Sequence, residues 1–117
     1  MEQKKLQPII GMGATEIWYS DRKAGTIIGV SKNGKRITWQ QDKATLKTGY
    51  KPEFVPGGFA AICINNHNLD YDYEPDTTGR VEIYSLRKNG YWIKQGDSQR
   101  GRRLSIGHRS EYYDYNF

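Results

Sequence analysis

Hydrophobic and polar positions alternate in short runs along this chain, and glycine, asparagine and proline separate the runs. A period of two is the mark of strands with one buried face. The plainest case is 69–74, where Leu69, Tyr71 and Tyr73 alternate with Asp70, Asp72 and Glu74. The turn cluster Pro75-Asp76-Thr77-Thr78-Gly79 follows, and the strand pattern resumes over 81–86. Residues 15–20 read as another strand, ending at Asp21-Arg22-Lys23, and 104–107 as a short last one. No window sustains a 3.6-residue apolar period, so a short helix has room only at 41–48 or in the final residues.

Asn-Gly occurs twice between strand-like runs, in Lys32-Asn33-Gly34-Lys35 and in Lys88-Asn89-Gly90-Tyr91. Both predict β-hairpins with type I′ turns, whose two central residues need positive φ. A two-residue loop also sets the register. In the first hairpin Val30 then faces Ile37 and Ile28 faces Trp39 on one side, with Ser31 against Arg36 and Gly29 against Thr38 on the other. In the second, Leu86 faces Ile93, and Arg87 faces Trp92 as a cross-strand cation–π pair. Short strands with frequent turns predict a mainly β fold, a small antiparallel barrel or sandwich of about 5–7 strands with at most one or two short helices.

Composition narrows this picture. The 117 residues suit a single domain over 1–117, with 1–10 as a loose lead-in. Pro52, Pro56, Gly57 and Gly58 make 49–66 a long loop or insertion. The chain is polar, with a mean hydropathy of -0.85, yet its 13% of aromatic residues argues against disorder. The longest apolar run, 59–64, is far short of the ~20 residues of a membrane span. The opening Met1-Glu2-Gln3-Lys4-Lys5 leads into no secretory h-region, and the lone Cys63 suits a reducing cytosol, so a cytoplasmic protein is expected. Lys and Arg exceed Asp and Glu by 18 to 13, and the resulting +5 fits an anionic partner or an ordinary solubility charge.

Candidate chemistry is thin for catalysis and metals. Cys63, His67 and His108 match no zinc spacing, and Asp70, Asp72 and Glu74 read as a solvated strand face more readily than as a hard-cation site. Gly11-Met12-Gly13 lacks the third glycine of a dinucleotide fingerprint. His108 beside Glu111 or Asp114 is the one general-base arrangement, and a surface histidine is the simpler reading. No enzyme, cofactor or resident metal is expected. Arginine beside aromatic residues recurs instead. Arg22 follows Trp18-Tyr19, Arg87 is assigned to Trp92, and Arg100, Arg102 and Arg103 precede His108-Arg109 and the tyrosine-rich end at Phe117. Arginine forks bind phosphate bidentately and aromatic faces stack on bases, so the set suits a nucleotide, a cyclic derivative or single-stranded nucleic acid. The terminal aromatics predict packing on the barrel or on a second copy, as a homodimer or higher homo-oligomer.

Several stretches carry a resemblance. They are Gly11-Met12-Gly13-Ala14-Thr15, Tyr19-Ser20-Asp21-Arg22, Val30-Ser31-Lys32-Asn33-Gly34-Lys35, Gln41-Asp42-Lys43-Ala44, Leu86-Arg87-Lys88-Asn89-Gly90 and Gly107-His108-Arg109 through Tyr113-Asp114-Tyr115. Together they resemble a family of small phage-encoded proteins, connected here to the Thoeris anti-defence sponges. The likeness spans most of the chain and breaks at about 50–66. It implies a phage protein that binds a cyclic ADP-ribose isomer, with cyclic oligonucleotides as further ligands, and holds it without cleavage. By motif position it implies Trp18, Arg22, Arg87 and Arg109 as ligand contacts, with Tyr84 and Asp114 beside them. A single-stranded nucleic-acid module, and an inhibitor docking on a host protein, stay open as alternatives.

Overall fold

The computed structural model of the protein describes residues 6–18, 21–47, 54–57, 60–63, 70–98 and 100–112. Ten strands follow one another, with no helix among the described residues. They are β1 (Gly13–Ile17), β2 (Arg22–Val30), β3 (Arg36–Gln41), β4 (Lys43–Leu46), β5 (Phe54–Gly57), β6 (Ala60–Cys63), β7 (Tyr71–Glu74), β8 (Val81–Leu86), β9 (Trp92–Lys94) and β10 (Arg103–Ile106). Six of them close into a barrel in the order β1-β10-β9-β8-β3-β2. Every neighbouring pair is antiparallel, and β2 pairs β1 to complete the ring. β4 pairs β7 and β5 pairs β6 in two further two-stranded sheets. The small antiparallel barrel expected from the pattern is therefore the fold.

Alternation places one residue in two inside the barrel. Ala14, Ile27, Ile37, Trp39, Tyr84, Trp92 and Leu104 form the core cluster. The Trp39 indole lies against Gly25, where an added Cβ would collide with its Nε1. That nitrogen donates to the Ala14 carbonyl at 3.1 Å, so the polar edge of a fully buried ring is satisfied. Trp39 meets Tyr84 edge-on, with centroids 6.3 Å apart and planes at 83°.

Both Asn-Gly hairpins form, with a different turn from the one expected. Among the described residues positive φ is confined to glycine, at 70° for Gly34 and 85° for Gly90, so Asn33 and Asn89 do not build type I′ turns. Gly34 N–H closes on the Ser31 carbonyl and Gly90 N–H on the Arg87 carbonyl, both at 2.9 Å, as in type I turns followed by a left-handed glycine. Each asparagine instead accepts from the N–H two residues on, Lys35 at 3.0 Å and Tyr91 at 3.1 Å.

The longer turn resets the second register. Leu86 pairs with Trp92, and Ser85 with Ile93, so Arg87 does not face Trp92. In the first hairpin Val30 faces Ile37 and Gly29 faces Thr38 as predicted. A bulge between Ile27 and Gly29 then puts Ile27 opposite Trp39 and turns Ile28 outward. The expected room for a helix at 41–48 is taken by β4, whose Lys43, Ala44, Thr45 and Leu46 pair with β7. Within 49–66, β5 and β6 form a hairpin. The strands predicted at 15–20 and 69–74 correspond to β1, which begins two residues earlier at Gly13, and β7, while residues 19, 20 and 69 lie outside the described residues.

After β10 the chain turns back at Gly107, whose φ is 97°. Residues 108–112 then run beside β1 and β2. Thr15 Oγ1 donates to the His108 carbonyl at 3.0 Å and accepts from Ser110 N–H at 3.0 Å. Glu111 accepts from Ala24 N–H at 2.9 Å, and Tyr112 bridges Arg22. Gly13 makes room for this strap, because a Cβ there would sit 2.8 Å from Arg109 Cγ. The Gly-Met-Gly stretch is thus structural. Two barrel ends result, one with the β1–β2 turn and the start of β10, the other with the two Asn-Gly hairpins and the end of β10.

Candidate functional site

At the first end a carboxylate lies inside the barrel. Glu16 shares the inward face of β1 with Ala14 and is fully buried. A buried carboxylate is tolerated only when charges and donors surround it. Glu16 has four such neighbours. Tyr84 Oη and Arg80 Nη2 donate short hydrogen bonds to it, Trp18 Nε1 donates at 2.6 Å, and Arg102 Nη1 stands 3.8 Å away. Arg80 adds a second bond to Glu16 at 3.2 Å and one to Glu82 at 3.0 Å.

Each partner is delivered by a local feature. Gly79 lets the chain pass against the Gln41 carbonyl, where a Cβ would clash, and sets Arg80 at the barrel rim. Burial works against the charge of Arg80, but the hydrogen bonds and charges of Glu16 and Glu82 outweigh it and raise its pKa above the ordinary arginine value. Burial, reinforced by the bond to Glu16, pushes the Tyr84 hydroxyl far above the tyrosine range, so it serves as a fixed donor.

Above this network lies an open cleft of about 530 Å³, lined by Ile17, Trp18, Asp97, Arg100, Gly101, Arg102 and Arg103. The Arg102 guanidinium stacks 3.6 Å from the Trp18 ring centroid, and Arg80 stands 5.7 Å from it. Trp18 keeps 37% of its surface exposed, so the indole is held yet accessible. Arg100 and Arg103 are exposed, and Arg103 also lies 4.1 Å from the Tyr91 centroid. The cleft thus presents a flat aromatic–guanidinium surface beside positive charge. That pairing suits a planar ring attached to an anionic group.

The residues singled out from the sequence do not all meet here. Trp18 is the centre of the cleft. Arg22 donates to the Trp18 carbonyl at 3.3 Å and the Asp21 carbonyl at 3.0 Å, bracing the turn that carries the indole. Arg87 donates to the carbonyls of Lys94 at 3.2 Å and Asp97 at 3.0 Å, holding the β9–β10 loop from outside the cleft. Tyr84 faces Glu16 in the interior. Arg109 lies elsewhere, with Nε on Asp42 at 2.7 Å and Nη2 on Thr26 at 3.0 Å. Asp114 and His67 lie outside the described residues.

His108 contacts Thr15 and Ser105, whereas Glu111 is engaged by Lys23 and Ala24. Asp70 pairs with Lys47 at 3.1 Å, and no metal-binding cluster forms among the described residues. Glu16 and Arg80 were missed by sequence reasoning. The alternation of Ala14, Glu16 and Trp18 on one face was the available signal, though it does not say which face turns inward.

No family model matches the chain, and no curated protein or solved structure is significantly similar to it. Among the described residues no helix is long and apolar enough to cross a membrane.

Proposed function

We propose that the protein binds a cyclic nucleotide immune signal in the Trp18 cleft and sequesters it without cleavage, as a phage anti-defence protein in the cytoplasm of the host bacterium. The carrying observation is the Trp18–Arg102 stack, 3.6 Å from guanidinium to ring centroid, beside Arg100 and Arg103. Stacking supplies affinity for a base, worth roughly 1–3 kcal/mol. Arginine forks supply the recognition of phosphate. Holding rather than cleaving is supported by the lining, whose one carboxylate, Asp97, accepts the Arg102 backbone N–H at 3.2 Å. Cyclic ADP-ribose isomers head the ligand panel, with cyclic oligonucleotides after them, and a homodimer or higher homo-oligomer is the proposed assembly.

Native mass spectrometry of the protein with that panel reads ligand mass and subunit number together. Heating the complex should release intact ligand, and recovery of a cleaved product would end the sequestration reading. Binding that falls steeply with salt and ignores small cyclic ligands would instead assign a single-stranded nucleic-acid module.

A further inference from the structure

The second end of the barrel carries a different chemistry. A cavity of about 430 Å³ opens there, within the roughly 300–1,000 Å³ usual for small-ligand sites. Leu86, Trp92 and Leu104 are direct cross-strand partners on β8, β9 and β10, so all three share the inward face, and Ile106 repeats that face two residues on. Trp92 and Leu104 belong to the core cluster, so the cavity reaches down to the core. The lead-in closes one side. Leu6 seats against Gly107, where an added Cβ would come within 2.6 Å of Leu6 Cδ1, and Gly11 N–H donates to the Ile27 carbonyl at 2.8 Å. Tyr91 stands at the rim, with the Arg103 guanidinium 4.1 Å from its ring centroid. None of the described residues lining the cavity is charged, although charged residues make up 26% of the chain. An ionic group drawn into it would lose hydration without gaining a counter-charge, which selects for a neutral occupant.

One polar atom in this setting lacks a partner. The chain has three tryptophans. Trp39 Nε1 donates to the Ala14 carbonyl at 3.1 Å and Trp18 Nε1 to Glu16 at 2.6 Å, but Trp92 Nε1 donates to no described residue. Trp92 is only 9% exposed. Buried donors are almost always paired, so an unpaired one calls for an acceptor from outside the chain. The cavity that Trp92 borders is the space from which such an acceptor can approach.

We propose that this cavity binds a neutral, largely apolar carbonyl compound, whose hydrocarbon part rests on Leu86, Leu104 and Ile106 and whose carbonyl oxygen accepts from Trp92 Nε1. A carbonyl fits better than a hydroxyl, because a hydroxyl would bring a donor of its own into an apolar site. The proposal is independent of the Trp18 cleft and of what binds there.

Propiophenone, an aryl ketone, and propylbenzene, which has the same outline with a methylene in place of the carbonyl, test it on the ¹⁵N-labelled full chain. Each tryptophan gives one indole N–H signal, and Trp92→Phe identifies its own by loss. The ketone is expected to move the Trp92 signal downfield while the Trp18 and Trp39 signals hold. Propylbenzene should bind without that downfield shift. Trp92→Phe should weaken the ketone about fivefold and leave propylbenzene nearly unchanged. One more methylene, in butyrophenone, should tighten binding about fourfold. Should Trp92→Phe not fold, the ketone-specific shift must persist in Trp18→Phe. No shift of the Trp92 signal, or the same downfield shift with propylbenzene, would overturn the carbonyl contact. Equal affinity for the two ketones would overturn the apolar seat. A Trp92 signal that changes on dilution without ligand would overturn the proposal by placing a second copy in the cavity.

Discussion

The two ends of the barrel solve opposite problems with the same backbone. At the Trp18 end, β1 carries a carboxylate inward, and Arg80, Arg102, Tyr84 and Trp18 gather around it. At the hairpin end the inward residues are Trp92, Leu104 and Ile106, and apolar side chains line the opening. The first end is organised by specific hydrogen bonds, so its geometry depends on every partner. The second is organised by burial, which is non-directional and more forgiving of exchange. A rim held by directed bonds suits recognition of a charged ligand, whereas an apolar mouth suits an uncharged chain.

Removing the carboxylate should break this contrast most severely. Glu16→Ala leaves the Tyr84 hydroxyl without its acceptor and Arg80 with Glu82 alone, and should cost about 3–5 kcal/mol in chemical denaturation. A cost below about 1 kcal/mol would mean that the network does not organise this end. Gly25→Ala tests the wall between the ends, since the new Cβ meets the Trp39 indole. A loss of about 1–3 kcal/mol is expected, from overpacking alone.

Within the cleft the contrast sharpens at lower cost. Arg102→Ala removes the stack on Trp18, and calorimetry should show ligand affinity reduced about tenfold, roughly 1.4 kcal/mol. Leu86→Ala at the far end should leave that affinity unchanged. Stability should fall in Arg102→Ala by about 1–2 kcal/mol, because the half-buried guanidinium is lost both from the Trp18 ring and from the buried Glu16 carboxylate.

The smallest effect concerns the strap. Burial holds the Glu111 carboxyl above its ordinary value of 4.5, against the opposing pull of the Ala24 N–H and Lys23. A folded-state pKa above the unfolded one means that the native chain binds the proton more tightly. The associated stability is full below the unfolded value and is lost as pH rises through the folded one. Denaturation midpoints should therefore decline as pH climbs just above 4.5, and Glu111→Gln should flatten that decline while keeping an acceptor for Ala24 N–H.

Much of the fold was legible in the residues because strand alternation and turn chemistry are local. β8 lies at its predicted bounds, and both Asn-Gly hairpins stand where they were placed. What local pattern could not supply was the turn subtype, since one left-handed glycine suffices for the turn that forms. That single difference moved Trp92 from Arg87 to Leu86. The candidate site was less legible for a related reason. Trp18 and Arg102 lie 84 positions apart (102 − 18) and meet because β1 pairs β10. Glu16 offered no signal of its own, because alternation alone does not tell the inside of a barrel from the outside.

The pairing of β1 with β10 has a consequence for how the protein comes into being. Ala14 is joined to Ile106, so the ring cannot shut until the chain has been synthesised through β10. Before then Glu16 lacks Arg80 and Arg102, and the Trp39 indole has no closed wall beside it. Non-local closure of this kind places folding toward the slow end for small domains, about milliseconds to seconds. β10 follows the other five barrel strands in the chain and is the one that seals the ring, so a nascent chain shortened before it would present an open sheet edge.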